Sequence, residues 1–120
     1  MIDHVKIGVS DLEAAKAYYE KALEPLGYRV AFEAEGMTYF ADAEGLDFGL
    51  GRNDRPGGTH VGFSTSDRET VQAFHAAAIE AGGTDNGQPG PRPEYAADYY
   101  AAYVLDLDGN NIEAFCHTAE

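Results

Sequence analysis

The feature that most constrains this chain is that it repeats itself. Setting His4 on His60, an offset of 60 − 4 = 56 positions, also pairs Val5 with Val61, Ser10 with Ser66, Asp11 with Asp67 and Glu13 with Glu69. Further on, Ala17 meets Ala73, Tyr18 meets Phe74, Ala22 meets Ala78, Leu23 meets Ile79, Glu24 meets Glu80 and Gly27 meets Gly83. Self-similarity at one fixed offset means one supersecondary unit used twice, and neither copy can bury its apolar face without the other.

Each copy has the same local pattern. In His4-Val-Lys-Ile-Gly-Val9 and His60-Val-Gly-Phe-Ser-Thr65, strand alternation sends Val5, Ile7 and Val9, or Val61 and Phe63, to one face and the histidines to the other. Both strands run into Ser-Asp-x-Glu, at Ser10–Glu13 and Ser66–Glu69, where the serine is expected to cap a helix and the glutamate to reach back. The first helix carries Leu12, Ala15, Tyr19, Ala22, Leu23 and Leu26 at helical spacing, and the second carries Val71, Phe74, Ala78 and Ile79. Gly27 and Gly82-Gly83 stop them.

Short strands are expected at 28–32, 37–41, 46–50, 99–107 and 111–116, with Asp108-Gly109 as a hairpin turn. The segment 51–58 is a polar connector. The segment 84–98 holds too much Pro and Gly for a central strand, and part of it is expected to be loop. The order is strand, helix, then three strands, twice over: an α+β chain forming one domain of two modules, 1–56 and 57–120.

Composition excludes several functions. The 120 residues suit one compact domain with a real core. A net charge of −13 with no basic patch offers nothing to a phosphate backbone, so nucleic acid is not an expected partner. No apolar stretch approaches the ~20 residues of a membrane helix. A lone Cys116, and an opening Met1-Ile2-Asp3-His4 in place of a basic segment followed by an apolar one, point to a reducing cytoplasm.

Three residues stand out for chemistry. His4 and His60 occupy equivalent positions at the head of each copy, and Glu113 lies between Ile112 and Ala114 in the last strand, so alternation turns it away from the helices. Two imidazoles and a carboxylate make a facial metal set that leaves coordination positions open. Arg92, Tyr95, Tyr99 and Tyr100 are candidates for the pocket, since guanidinium clamps a carboxylate and phenols donate protons or stack. Simple packing on a sheet is the alternative for each tyrosine. His117 alternates with Glu113 but is expected to lie in a frayed end of the last strand, His75 is expected to be exposed on the second helix, and Cys116 is expected to be a small buried residue.

The paired His-Val…Ser-Asp-x-Glu openings, Tyr100-Ala-Ala-Tyr-Val-Leu-Asp106 and the closing Asp108-Gly-Asn-Asn-Ile-Glu113 resemble the vicinal oxygen chelate superfamily, the glyoxalase, bleomycin-resistance and extradiol dioxygenase group, over essentially the whole chain. The stretch 84–90 with Tyr99-Tyr100 further resembles a glyoxalase-like branch without an assigned reaction. The resemblance implies two tandem βαβββ modules whose curved sheets enclose a cleft, one divalent cation (Fe, Mn, Zn or Ni) on His4, His60 and Glu113, a small-molecule substrate and a homodimer. Its fourth ligand position falls near Gly49, which has no side chain to coordinate with, and Asp47 on the same strand face is the candidate substitute. Glyoxalases of the family use four protein ligands, so three speak against lactoylglutathione lyase activity and are closer to the dioxygenases and fosfomycin-type thiol transferases.

Two functional classes follow. One is a metal-dependent enzyme that chelates a small oxygenated substrate for lyase, isomerase or dioxygenase chemistry, with Glu113, Tyr99 and Tyr100 catalytic and Arg92 and Tyr95 binding. The other is a metal-free binding or drug-sequestering protein of the same fold, and beside these two stands a third reading, a degenerate module serving only as a dimer partner or regulator.

Overall fold

The computed structural model of the chain describes residues 2–118; Met1, Ala119 and Glu120 lie outside the described residues. The first copy runs β1 (Val5–Val9), α1 (Leu12–Ala22), a 3-10 turn (Glu24–Leu26), β2 (Arg29–Ala34), β3 (Met37–Asp42) and β4 (Gly45–Arg52). The second runs β5 (His60–Ser64), α2 (Arg68–Glu80), β6 (Thr84–Pro91), β7 (Tyr99–Leu105) and β8 (Asn111–His117). They form two four-stranded sheets, ordered β1-β4-β3-β2 and β5-β8-β7-β6. In each, the first strand pairs in parallel with the last, Val5 opposite Phe48 and Val61 opposite Ile112, and the other pairings are antiparallel. The two tandem βαβββ modules read from the repeat are present.

Both helices are capped one residue later than the sequence suggests. Asp11 and Asp67, not Ser10 and Ser66, sit in extended conformation at the cap and accept from the amides of Ala14 and Thr70. Aspartate adds its charge to the positive end of the helix dipole, and Ser10 is left free for another partner. Gly27 ends the first helical segment at φ 85°, a left-handed conformation that a Cβ would strain.

The core crosses both modules. Val9, Tyr19, Leu23, Phe40, Phe48 and Leu50 of the first are continuous with Phe63, Phe74, Ala78, Val104 and Ile112 of the second. Aromatic edges meet faces through it: Tyr19 lies 5.2 Å from Phe48, Phe48 5.2 Å from Phe63, and Phe63 5.3 Å from Tyr28. Ile79, expected in this stripe, is exposed on the flank of α2.

His75, expected to be exposed, is instead buried, with Nε2 2.8 Å from Asp85 Oδ1 on β6. It stands 56 positions after Tyr19, at the inward position of the second helix, and its ring tethers the Pro- and Gly-rich strand β6 to α2. That strand is an edge, paired only with β7 and irregular at two places, which is how so much Pro and Gly enters a sheet.

One buried carboxylate joins the modules. Asp106, just after β7, accepts the hydroxyl of Tyr19 from α1 at 2.5 Å on Oδ2, which also accepts Asn110 Nδ2 at 2.9 Å. Its Oδ1 accepts the amides of Asp108 and Asn110. Around it, Asn110 Nδ2 reaches the Gly8 carbonyl at 3.5 Å, and Ser10 donates its hydroxyl to Asp108 at 2.6 Å. Burial, and then the Asp106 charge, push the Tyr19 phenol far above its ordinary pKa, so it stays a donor. Tyr19→Phe is expected to cost about 2 kcal/mol in urea denaturation and Asp106→Ala about 3–4 kcal/mol, because the second strands buried donors as well. Costs below about 0.5 kcal/mol for both would show that the carboxylate is not what ties the modules together.

Candidate functional site

Alternation along β5, β7 and β8 divides the second module. Phe63, Tyr100, Ala102, Val104, Ile112, Ala114 and Cys116 lie on the helix-facing side. His60, Tyr99, Tyr103, Glu113, Phe115 and His117 lie on the other. Glu113 is opposite Gly62 on one neighbouring strand and Tyr103 on the other. Gly62 places no side chain beside the carboxylate, so His60 reaches it from two residues away, with Nε2 3.0 Å from Oε1. Tyr99 donates its hydroxyl to Oε2. Glu113 is only 5% exposed although it belongs to the open face, whereas the His60 side chain is 53% exposed. A carboxylate held at both oxygens beside a half-open imidazole is a fixed acceptor on the open face.

Aromatic groups surround this pair. Phe115 stacks on Tyr99 at 5.2 Å with planes 5° apart, and Tyr95 meets Tyr99 edge-on at 5.4 Å. His117, expected in a frayed strand end, is instead the last residue of β8, paired with Tyr99; it stands edge-on to that ring and bonds Asp98 at 3.0 Å. Arg92 is anchored by the carbonyls of Gln88 and Pro91, and its guanidinium carbon lies 5.4 Å from the Tyr103 ring centre. Tyr99, Tyr95 and Arg92 therefore gather around Glu113. Tyr100 does not: it faces α2, beside Val71 and Cys116, accepting from Gln72 under the Arg68 guanidinium. The expectation that Tyr100 lines the pocket is corrected, since adjacent strand residues cannot share a face.

The first module presents the matching positions differently. Relative to β4 and β3, the second module's β8 and β7 are offset by 64 positions instead of 56, the extra eight lying in the connection from β6 to β7. Gly49 thus stands where Glu113 does, and Tyr39 where Tyr103 does. A Cβ on Gly49 would come within 2.5 Å of the Tyr39 ring, so the phenol occupies the room that a side chain there needs. His4 meets that ring edge-on at 5.9 Å and bonds Asp3 at 2.8 Å. Asp47 accepts the Tyr28 hydroxyl at 3.2 Å. Tyr39, Tyr103 and Phe115 are not singled out by the sequence reading; strand alternation finds Phe115 from Glu113 and Tyr103 from Tyr99, and only the change of offset finds Tyr39.

Among the described residues, no three His, Cys, Asp or Glu side chains converge closely enough to hold a metal ion within one chain. His60 and Glu113 supply one nitrogen and one oxygen at hydrogen-bond separation, a pair that suits Zn, Fe, Mn or Ni. His4 lines the same cavity as His60 but does not join the pair.

The phenols report on Glu113. Burial first, and then the Glu113 charge, push Tyr103 up to about 12. Tyr99 is raised further, by burial and by its hydrogen bond to Glu113. Both stay protonated at neutral pH and act as donors. Removing the negative charge removes one raising cause, so Glu113→Gln should bring both phenol ionisations down only part of the way towards 10, leaving the burial effect. Phenolate absorbance during an alkaline titration measures it, and unchanged curves would place the carboxylate out of contact with them.

A family model described as the glyoxalase/bleomycin resistance protein/dioxygenase superfamily matches residues 1–114. A solved glyoxalase/bleomycin resistance protein from Albidiferax ferrireducens is 34% identical, with a TM-score of 0.87 over 97% of this chain and 98% of its own. At 18% identity, a glyoxalase/bleomycin resistance protein/dioxygenase family enzyme from Burkholderia phytofirmans has a TM-score of 0.75, covering 96% of this chain and 97% of its own. At 17%, a glyoxalase-related enzyme from Fulvimarina pelagi has a TM-score of 0.76, covering 97% and 87%. No curated protein matches the chain in sequence. No helix among the described residues is long and apolar enough to cross a membrane. With its paired βαβββ modules and the family match along nearly all its length, the chain belongs to the glyoxalase/bleomycin resistance protein/dioxygenase superfamily.

Proposed function

We propose that the chain is a metal-dependent enzyme acting on a small oxygenated molecule, with His60 and Glu113 as two of three protein ligands and His4 of a second copy as the third. The observation that carries the reading is the His60–Glu113 pair, 3.0 Å apart on an open sheet face and clamped from behind by Tyr99. His4 belongs to the same set because it heads the equivalent strand, and its side chain is 55% exposed, available to a neighbouring copy. The homodimer is part of this proposal, as is the view that modules 1–56 and 57–120 act as one domain. A cytoplasmic setting fits the single cysteine, which is free and buried.

A bound divalent cation supplies Lewis-acid polarisation of two adjacent substrate oxygens. The chain's own groups do the rest. Glu113 accepts a proton from substrate, while the Tyr99 hydroxyl holds its orientation. Tyr103 remains protonated beside it as a further donor. Arg92 orients a negative or carbonyl-bearing end of the substrate from the rim, and Tyr95 with Phe115 excludes water and stacks on a planar portion. Lyase, isomerase and dioxygenase chemistry all use this arrangement. The second reading, metal-free sequestration of a planar ligand, is favoured by the stacked Tyr99–Phe115 wall and by the Tyr39 ring lying over Gly49.

Metal titration separates the two. Glu113→Ala should keep the fold and weaken binding of Zn2+ or Ni2+ at least about tenfold, with loss of the melting-temperature difference between metal-loaded and chelator-treated protein. Mixing His4→Ala with Glu113→Ala chains should restore about one intact site per mixed dimer, since each supplies what the other lacks. Wild-type protein with no metal affinity and no chelator effect would transfer the assignment to the binder.

A further inference from the structure

Four residues stand in one row across the open face of the second sheet: Gly62 on β5, Glu113 on β8, Tyr103 on β7 and Gly87 on β6, each paired with the next. The outer two are glycines, and a neighbour leans inward over each. A Cβ on Gly62 would meet Glu113 Oε1 at 3.5 Å, and His60 crosses there to the carboxylate. A Cβ on Gly87 would lie 2.8 Å from the Tyr103 ring and 3.3 Å from Arg92 Nη2. Tyr103 is therefore approached from both edges of the sheet. The Arg92 guanidinium carbon is 5.4 Å from its ring centre, and the His60 ring centre is 6.3 Å away.

Arg92 is a cation held in place without an anion. Nη2 donates to the Gln88 carbonyl at 2.6 Å and Nη1 to the Pro91 carbonyl at 3.3 Å, which fixes the guanidinium plane. No carboxylate pairs with it among the described residues, although the chain has 21 acidic side chains for 8 basic ones. A guanidinium has five N–H donors in a planar fork, so donors remain for a carboxylate ligand. Among the described residues no second cation stands over the Tyr99, Tyr103 or Phe115 rings. A single positive charge balances a carboxylate and leaves a phosphate dianion half compensated.

The rest of the row fixes how such an anion lies. The Glu113 charge repels it from the His60 end, so the carboxylate goes to Arg92. Gly87 and Glu113 are two strand spacings apart, about 10 Å, which one small molecule can span. The surface between and beside them is aromatic: Tyr103 in the row, and Tyr99 stacked on Phe115 with planes 5° apart on the same face.

We propose that the substrate is an aromatic carboxylate, with its carboxylate on the Arg92 fork, its ring over Tyr103, and an oxygen on the far side of the ring at the His60–Glu113 pair. The inference rests on the reading that the Glu113 face receives substrate, and it narrows that substrate to a class; Arg92 and Tyr103 act with or without a cation bound.

Calorimetric titration of chelator-treated full chain with 4-hydroxybenzoate and with its neutral counterpart 4-hydroxybenzamide tests it. The acid should bind at least about tenfold more tightly than the amide, and trans-4-hydroxycyclohexanecarboxylate, which keeps the charge and loses the flat ring, about threefold less tightly than the aromatic acid. Arg92→Gln should lower the affinity for the acid to about that for the amide and leave amide binding unchanged. Should Arg92→Gln not fold, Arg92→Lys, which keeps the charge without the planar fork, should weaken the acid about threefold. No binding of the acid, equal binding of acid and amide, equal binding of the flat and saturated rings, or wild-type affinity for the acid in Arg92→Gln or the substitute Arg92→Lys overturns the proposal. So does acid binding that appears only after loading with Ni2+, because the carboxylate would then sit on the cation. A chain that shows no metal affinity but keeps the Arg92-dependent preference for the acid loses the metal reading alone.

Discussion

Everything in this molecule hangs on a carboxylate that has no business being buried alone. Asp106 is taken out of water and receives in return four hydrogen bonds, one of them from a tyrosine of the other module. The exchange fixes how the two sheets sit, because Tyr19 is also the largest fully buried residue and lies against Phe48 and Phe40. A hydrogen bond that must be satisfied and an aromatic ring that must be packed are thus the same side chain. The aliphatic core could slide by a fraction of a residue at small penalty; the phenol reaching Asp106 cannot.

Duplication usually reads as economy of design, but here the value lies in how the copies differ. At the position facing the first strand's histidine, one copy has glutamate under an open tyrosine pair, and the other has glycine under a tyrosine that has lain down into the vacancy. One half carries the charge and the hydrogen-bond acceptors; the other offers a flat ring and an exposed imidazole. The departures are correlated. The eight extra residues between β6 and β7 bring Arg92 over Tyr103, and at the other end of β6 Asp85 engages His75.

Much of this was legible in the sequence because the repeat is written in residues that serve geometry. The offset of 56 placed both first strands and both helices, alternation turned Glu113 from the helices and Cys116 towards them, and the Asp108-Gly109 turn is where Gly109 takes φ 84°. The failures have physical causes. Serine and aspartate both cap helices, and adjacent in sequence they are ambiguous until Ser10 is seen bonded to Asp108. Tyr99 and Tyr100 are equivalent as letters, and only the register with His117 and Cys116 decides which reaches Glu113. His75 was misplaced because a histidine on a helix looks polar until a carboxylate arrives from a strand ten residues on.

The Pro- and Gly-rich edge strand has a bearing on what this protein does in a crowded solution. An outermost strand is an invitation to any extended peptide that can add to it, and β6 withdraws the invitation: Pro89 and Pro91 lack the amide hydrogens that an incoming strand would seek, and the register breaks twice along its length. Combined with strong like-charge repulsion between molecules, this keeps the second sheet from growing at that side.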